Sequence, residues 1–246
     1  MCRHLGYLGE PRAPWELLFG AEHSLLTQSY APADMRGGGT VNADGFGLGW
    51  YAGEPEPLRY RRSSPLWTDE TLPALSASIR AGAFLAAVRN GTTGMPVTEP
   101  AAAPFADGRW LFSLNGLVRG WPESMSSLAG KLPVTELLTL EAPTDSALLW
   151  ALLRDRLHAG EDPLDAVADL VRAVERAAPG SRLNLLLTDG EVLVATAWTH
   201  SLSVLSEAGG VTVASEPIGG GRWRPVPDGH AVRVAGGTVE FIPIGQ

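Results

Sequence analysis

The chain has 246 residues, of which 45% are apolar, and its formal net charge is −8. This length allows a substantial buried core, so we expect a single domain over residues 2–246, with two small domains as the alternative. The acidic balance and the dispersed arginines exclude a nucleic-acid-binding surface. The sequence lacks an apolar run of the roughly 20 residues that span a bilayer and lacks a signal peptide, which predicts a cytoplasmic protein without a membrane partner.

The N-terminal half contains short apolar runs that are separated by glycine and proline. The pattern predicts strands and helices that are both short, with boundaries set by these turn residues. Strands are predicted at about 3–8, 46–52, 83–89 and 110–114, and helices near 14–20 and 68–79.

Two longer helices are predicted in the middle of the chain. Asp145 is expected to cap a helix over residues 146–158, which ends at Gly160. Asp162, followed by proline, opens a second helix, whose apolar residues recur at helical spacing until Pro179. Each helix would present one apolar face to a core.

The C-terminal part predicts three hairpins, over residues 182–198, 201–215 and 230–244. Each consists of two β-type runs joined by Asp-Gly or Gly-Gly, which are strong signals for a reversal of direction. An antiparallel sheet can bury one face against a partner sheet, and the helices predicted between the strands at both ends of the chain can cover the outside. The pattern therefore predicts an α+β fold with stacked antiparallel sheets and helices on the outside.

Cys2 is the only cysteine and lies directly behind Met1. Removal of Met1 would leave a thiol and a free α-amino group on one residue, and an amine with a pKa of about 8 can accept the thiol proton near neutral pH. The alternative is an ordinary cysteine in a first strand. One cysteine and five scattered histidines provide no disulfide and no metal motif, so we expect neither a metal nor another cofactor.

Three further positions each have a structural and a chemical interpretation. Arg89 is either a surface residue at a strand end or a planar guanidinium that holds a carboxylate through two parallel bonds. Asn115 and Gly116 form either a hairpin turn or an oxyanion hole, made by the side-chain amide and the glycine N–H. Asp145 either caps its helix or binds an ammonium group.

These residues lie in segments that resemble the class II glutamine amidotransferases, a branch of the N-terminal-nucleophile hydrolases. The segments follow the family's order along nearly the whole chain: MCRHLG, NADGFGLGW, VRNGTTG, SLNGLV, TDS and VASEP. The resemblance implies a four-layer αββα sandwich of two stacked antiparallel sheets. It also implies that Cys2 is the nucleophile and that Asn115 and Gly116 form the oxyanion hole.

The same resemblance implies a site for a γ-glutamyl group. Arg89 would hold its α-carboxylate, Asp145 would face its α-ammonium, and Thr92 and Thr93 would add hydrogen-bond donors. Leu114 stands where the family usually has a histidine, which argues against a required imidazole at that place.

The length and the segments MCRHLG, LLTQSYAP, VNADG and RLNLL are similar to a stand-alone branch of this family in ergothioneine biosynthesis. Members of that branch cleave a γ-glutamyl amide and release glutamate, which implies an amidohydrolase with a small-molecule substrate and without an obligatory synthase partner. Two alternatives remain: a glutaminase subunit that supplies ammonia to a separate synthase, and an inactive module that binds a γ-glutamyl compound. The resemblance also implies a trimethylammonium group on the leaving group, for which the candidate contacts are Trp67, Trp121 and Trp223.

Overall fold

The computed structural model describes residues 2–35 and 41–245. In these ranges the strands are β1 (Arg3–Arg12), β2 (Phe46–Trp50), β3 (Leu58–Arg62), β4 (Ala81–Val88), β5 (Phe105–Asp107), β6 (Trp110–Leu117), β7 (Arg182–Thr188), β8 (Val192–Ala197), β9 (Ser203–Glu207), β10 (Gly210–Ala214), β11 (Arg224–Pro225), β12 (His230–Ala235) and β13 (Thr238–Pro243). The α-helices are α1 (Leu25–Tyr30), α2 (Leu72–Ser78), α3 (Ser126–Ala129), α4 (Val134–Leu138), α5 (Asp145–His158) and α6 (Pro163–Ala177).

The strands form two antiparallel sheets. Sheet A has the order β11-β9-β10-β1-β4-β2-β3, and sheet B has the order β13-β12-β8-β7-β6-β5. One apolar cluster, which includes Leu85 of sheet A and Leu186 of sheet B, fills the space between the sheets. A side chain at Gly6 in β1 would collide with Leu193, because its Cβ would lie 2.7 Å from Leu193 Cδ1. Glycine at this position lets the two sheets approach each other.

Helices cover the outer face of each sheet. The longest two, α5 and α6, pack on sheet B through a cluster that includes Trp150, Val171 and Leu185. On sheet A the covering cluster includes Leu25 of α1 and Leu72 of α2. These layers confirm the predicted α+β class and the αββα arrangement of two stacked antiparallel sheets.

The three predicted hairpins are present as the pairs β7–β8, β9–β10 and β12–β13. The predictions were less accurate at the sheet edges, since β5 and β11 are two or three residues long and β3 carries three arginines. The segment predicted as a helix near 14–20 forms a π-helical turn at Glu16–Gly20, and the helix predicted near 68–79 begins only at Leu72. Such short elements depend on tertiary contacts rather than on local preference.

Antiparallel pairing brings several strand ends to one end of the sandwich. The N-terminus of β1 lies between the C-termini of β4 and β10, with Arg3 opposite Val88 and Leu5 opposite Ala214. In sheet B, the C-terminus of β6 lies beside the N-terminus of β7. The described part of the chain contains no helix long and apolar enough to cross a membrane and no cluster of side chains suited to a metal ion.

Candidate active site

Cys2 immediately precedes the central strand β1 of sheet A and is half-buried. Its Sγ lies 3.7 Å from the carbonyl oxygen of Asn90, in the loop that follows β4. The neighbouring Arg3 is fully buried; it donates to the carbonyl oxygen of Cys2 at 2.9 Å and to that of Asp34. These bonds fix the backbone that carries the thiol.

The charge of Arg3 is balanced by a buried carboxylate. Arg3 Nε lies 2.5 Å from Glu216 Oε1, and His23 and the N–H of Ala33 bind Oε2 of the same residue at 2.8 Å. Burial by itself would raise the pKa of the Glu216 carboxyl, but these partners hold it below its usual value. Breaking a buried pair of this kind leaves an uncompensated charge, so Glu216 supports the position of the strand that follows Cys2.

Asn115 and Gly116 lie within β6, so the hairpin-turn interpretation is wrong. Pairing with β7 keeps the strand straight through both residues, with Asn115 opposite Asn184. A Cβ at Gly116 would lie 1.9 Å from the carbonyl oxygen of Arg182, so this backbone contact requires glycine.

The Asn115 side chain is fully buried and reaches across to sheet A. Its Nδ2 donates to Ser215 Oγ at 2.9 Å, and the same hydroxyl accepts from the N–H of His4 at 3.0 Å. Asn115 Oδ1 is buried without a partner among the described residues. A side-chain amide carries two N–H groups, so the second N–H of Asn115 remains for another acceptor. Ser215 connects this amide to the backbone of His4, which is two residues after Cys2 in the chain.

Arg89 follows β4 and is 7% exposed, which shows that the surface interpretation of this residue is wrong. It donates through Nη1 to the carbonyl oxygen of Pro96 at 2.9 Å and, at 3.4 Å, to that of Asp44. The Asp44 carboxylate accepts from the N–H of Gly91 at 2.8 Å. Asp44 therefore braces the loop that contains Arg89 and Asn90.

The helix cap at α5 is Thr144 rather than Asp145. The Thr144 hydroxyl accepts from the N–H of Ala147 at 3.2 Å, whereas Asp145 is the first helical residue, so the predicted cap was wrong by one position. Both residue types are good caps, and the sequence TDS does not decide between them. The Asp145 carboxylate instead bonds both to the residue after β6 and to the first turn of its own helix.

Asp145 is 5% exposed, and its oxygens accept from the N–H groups of Val118 at 3.0 Å and Ser146 at 2.7 Å. Burial raises the pKa of this carboxyl, while those bonds and the positive charge of Arg89 oppose the rise. Arg89 and Asp145 thus lie within electrostatic reach of each other, one at the end of β4 and the other at the start of α5. A pair with opposite charges is suited to a ligand that is a zwitterion.

Cys2 and Arg89 share the lining of a small cavity with Ser146, the residue after Asp145. Apolar side chains, among them Phe46 and Leu114, complete its wall. Thr92 and Thr93 lie in an exposed turn after Arg89 and do not belong to the described lining. The structure therefore brings Cys2, Arg89, Asp145 and Asn115 to one end of the sandwich, whereas the two threonines lie outside the described lining.

A larger cavity of about 710 Å³ lies beside the start of β9 and the segment that follows β10. Ser215 and Glu216 line it together with Asp34, His200 and Asp228. The three tryptophans proposed from the sequence lie elsewhere: Trp67 contacts Tyr30 at the surface, and Trp121 and Trp223 pack against two of the apolar clusters. The described residues that line this cavity include three with carboxylate side chains and no tryptophan.

His4 is buried between the sheets, with Nδ1 3.1 Å from Ser113 Oγ. Burial, His200 and Arg3 lower the pKa of His4 to about 3. The imidazole is therefore neutral at physiological pH and serves the packing of the two sheets. Sequence reasoning missed the site partners Arg3, Ser215 and Glu216, although all lie in the segments MCRHLG and VASEP.

The sequence profile described as "Glutamine amidotransferases class-II" matches residues 21–214, which is most of the chain. The chain belongs to this family. The match begins after Cys2, so the amidotransferase profile covers Arg89, Asn115 and Asp145 but not Cys2.

Among relatives of this class II amidotransferase, a protein from Mycolicibacterium smegmatis named gamma-glutamyl-hercynylcysteine sulfoxide hydrolase is 39% identical, over 99% of this chain and 100% of its own. A Mycobacterium tuberculosis protein of the same name is 40% identical, over 95% of this chain and 93% of its own. A glutamine aminotransferase class-II domain protein from Silicibacter pomeroyi matches the structure with a TM-score of 0.72, at 24% identity and over 100% of both chains. That likeness supports the fold.

Proposed function

We propose that this class II amidotransferase hydrolyses the γ-glutamyl amide bond of γ-glutamyl-hercynylcysteine sulfoxide and releases glutamate, a step of ergothioneine biosynthesis. The observation that carries the proposal is that Cys2 and Arg89 line one cavity, with the buried Asp145 carboxylate within electrostatic reach of Arg89. It occurs in a chain that matches hydrolases of that name over 95% and 99% of its length. The proposal includes a single domain over residues 2–246 that acts in the cytoplasm without an obligatory synthase partner.

In the proposed reaction, Met1 is removed and the α-amino group of Cys2 accepts the thiol proton. The sulfur attacks the amide carbon, and the same amine passes the proton to the departing nitrogen as the C–N bond breaks. The second N–H of Asn115 and the N–H of Gly116 stabilise the oxyanion. Water, activated by the amine, then hydrolyses the thioester and releases glutamate.

The glutamyl group is held by opposite charges throughout both steps. The Arg89 guanidinium binds the α-carboxylate, and the Asp145 carboxylate binds the α-ammonium, with Thr92 and Thr93 as donors at the rim. Both charged side chains are buried, so their interactions with the ligand are weakly screened. The hydroxyl of Ser146 lies beside the same cavity.

Arg89→Lys is expected to weaken binding of the glutamyl group, with KM rising about tenfold or more and kcat changing less. A lysine supplies one point charge and cannot form two parallel bonds to a carboxylate. Initial rates over a range of substrate concentrations measure the effect. Arg80→Lys is the matched control, since Arg80 is exposed and bonds only to nearby carbonyl groups. Equal KM values for the two variants would contradict the assignment of Arg89.

The proposed function is tested by comparing two substrates of the unmodified protein. Release of hercynylcysteine sulfoxide is followed by mass spectrometry, and release of ammonia from glutamine by a coupled assay. The proposal expects kcat/KM for the conjugate to exceed that for glutamine by about 100-fold, since only the conjugate has a large leaving group that can make further contacts with the protein. Comparable values would favour a glutaminase subunit, and binding without release from either substrate would favour an inactive module.

A further inference from the structure

Arg182 occupies a position next to the oxyanion residues that the reaction described above does not use. It is the first residue of β7 and pairs with Leu117, at the end of β6. Side chains alternate between the two faces of a strand, and Leu183 and Leu185 face the helices, whereas Leu186 faces sheet A. The side chain of Arg182 therefore points between the sheets, towards the start of β1.

The guanidinium of Arg182 lacks a partner within residues 2–35 and 41–245. Its Nε is buried without a hydrogen bond, and it forms no ion pair in these ranges. Burial lowers the pKa of Arg182, the neighbouring Arg119 lowers it further, and a thiolate at Cys2 raises it. Arg182 is thus a half-buried cation close to Cys2, with a guanidinium that is free to bind an anionic group of a ligand.

The position of Arg182 relative to Arg89 indicates which part of a substrate it faces. Arg89 follows β4, and the small cavity it lines extends over β6 and β5. Arg182 belongs to β7, which lies next to β6 in sheet B on the side away from β5. In the facing sheet A, this is the side of β10 and of the larger cavity. Cys2 lies between the two arginines, so the acyl half of an amide at Cys2 lies towards Arg89 and the leaving half lies towards Arg182.

We propose that Arg182 binds the α-carboxylate of an amino-acid leaving group and so selects γ-glutamyl conjugates of amino acids over glutamine. The inference rests on the proposed function and specifies the leaving group that the site accepts. When the leaving amine is an α-amino acid, its carboxylate is attached to the carbon next to the scissile nitrogen, within reach of a cation beside the nucleophile. Glutamine releases ammonia, which offers no such anion.

The test uses γ-glutamyl-hercynylcysteine sulfoxide and an analogue in which hydrogen replaces the cysteinyl carboxylate. The unmodified protein is expected to show a kcat/KM about 10- to 100-fold higher for the carboxylate substrate, the usual effect of a hydrogen-bonded charge pair. In Arg182→Met this ratio is expected to fall to about one, because only the carboxylate substrate loses a partner. Arg182→Lys is expected to retain part of the preference.

Arg176→Met is the matched control, since this arginine is exposed near the end of α6. Thermal melting of both variants checks that they fold, and a ratio taken within one variant is independent of the active fraction. An unmodified protein that does not discriminate between the substrates would overturn the inference. So would an equal loss for both substrates in Arg182→Met, which would assign the arginine to thiolate stabilisation. Failure of the unmodified protein to hydrolyse the carboxylate substrate would instead refute the proposed function.

Discussion

Cys2→Ala is expected to fold like the unmodified protein and to release no product above the uncatalysed background. The methyl group of alanine has no electron pair with which to attack the amide carbon, so neither the thioester nor its hydrolysis can occur. Product release over hours, measured by mass spectrometry with the protein at substrate-like concentration, gives the most sensitive limit. Turnover within tenfold of the unmodified protein would exclude Cys2 as the nucleophile.

The same prediction requires Met1 to be absent from the active protein, since an amide-bonded Cys2 nitrogen cannot act as the base. Intact mass measurement is expected to show loss of one methionine from every active preparation. Cys2→Ser is the conservative control: it retains an amine and a weaker nucleophile and is expected to keep only traces of activity. Full activity in a preparation that retains Met1 would contradict the proposed mechanism.

Asn115→Ala is expected to lower kcat by about 10²–10³-fold, the usual cost of removing one oxyanion donor, with a smaller change in KM. The donor acts on an oxygen whose negative charge exists only beyond the ground state, so its loss affects the chemical step more than binding. Steady-state rates with γ-glutamyl-hercynylcysteine sulfoxide separate the two parameters.

Loss of the Asn115 amide also removes a hydrogen bond to Ser215, so stability must be measured beside activity. Asn42→Ala serves as a matched control, because Asn42 is another fully buried asparagine, bonded to backbone carbonyls of α1 and outside both cavity linings. An Asn115→Ala variant that melts like the control and keeps its kcat would exclude the oxyanion role.

Much of the architecture was predictable because its signals are local. Asp189 and Gly190 join β7 to β8, and Gly190 adopts a positive φ of 91°, which glycine reaches without strain. The capping of α6 by Asp162, confirmed by its bond to the N–H of Leu164 at 2.9 Å, is also encoded within a few residues. Patterns of this kind span only a few neighbouring residues, so the sequence alone indicates them.

The site partners of Cys2 were not predictable in the same way, because they depend on contacts between distant residues. Arg3 and Glu216 meet only because β1 inserts between β4 and β10, and no local pattern specifies that order. The bond between Asn115 and Ser215 likewise requires the two sheets to stack in a particular alignment. The family motifs identified Arg89 and Asp145 as candidates, but the burial of both was visible only in the folded chain.

The central position of β1 restricts how this protein can be produced and labelled. Strand pairing on both sides of β1 begins within a few residues of Cys2, and Arg3 donates a hydrogen bond to the Cys2 carbonyl oxygen. The position of Cys2 relative to the sheet is therefore fixed. An affinity tag fused ahead of Cys2 would convert its amine to an amide and crowd the cavity. A tag after β13, the outermost strand of its sheet, avoids both problems. Under the proposed mechanism, screens that rely on N-terminal fusions are therefore expected to report this protein as inactive.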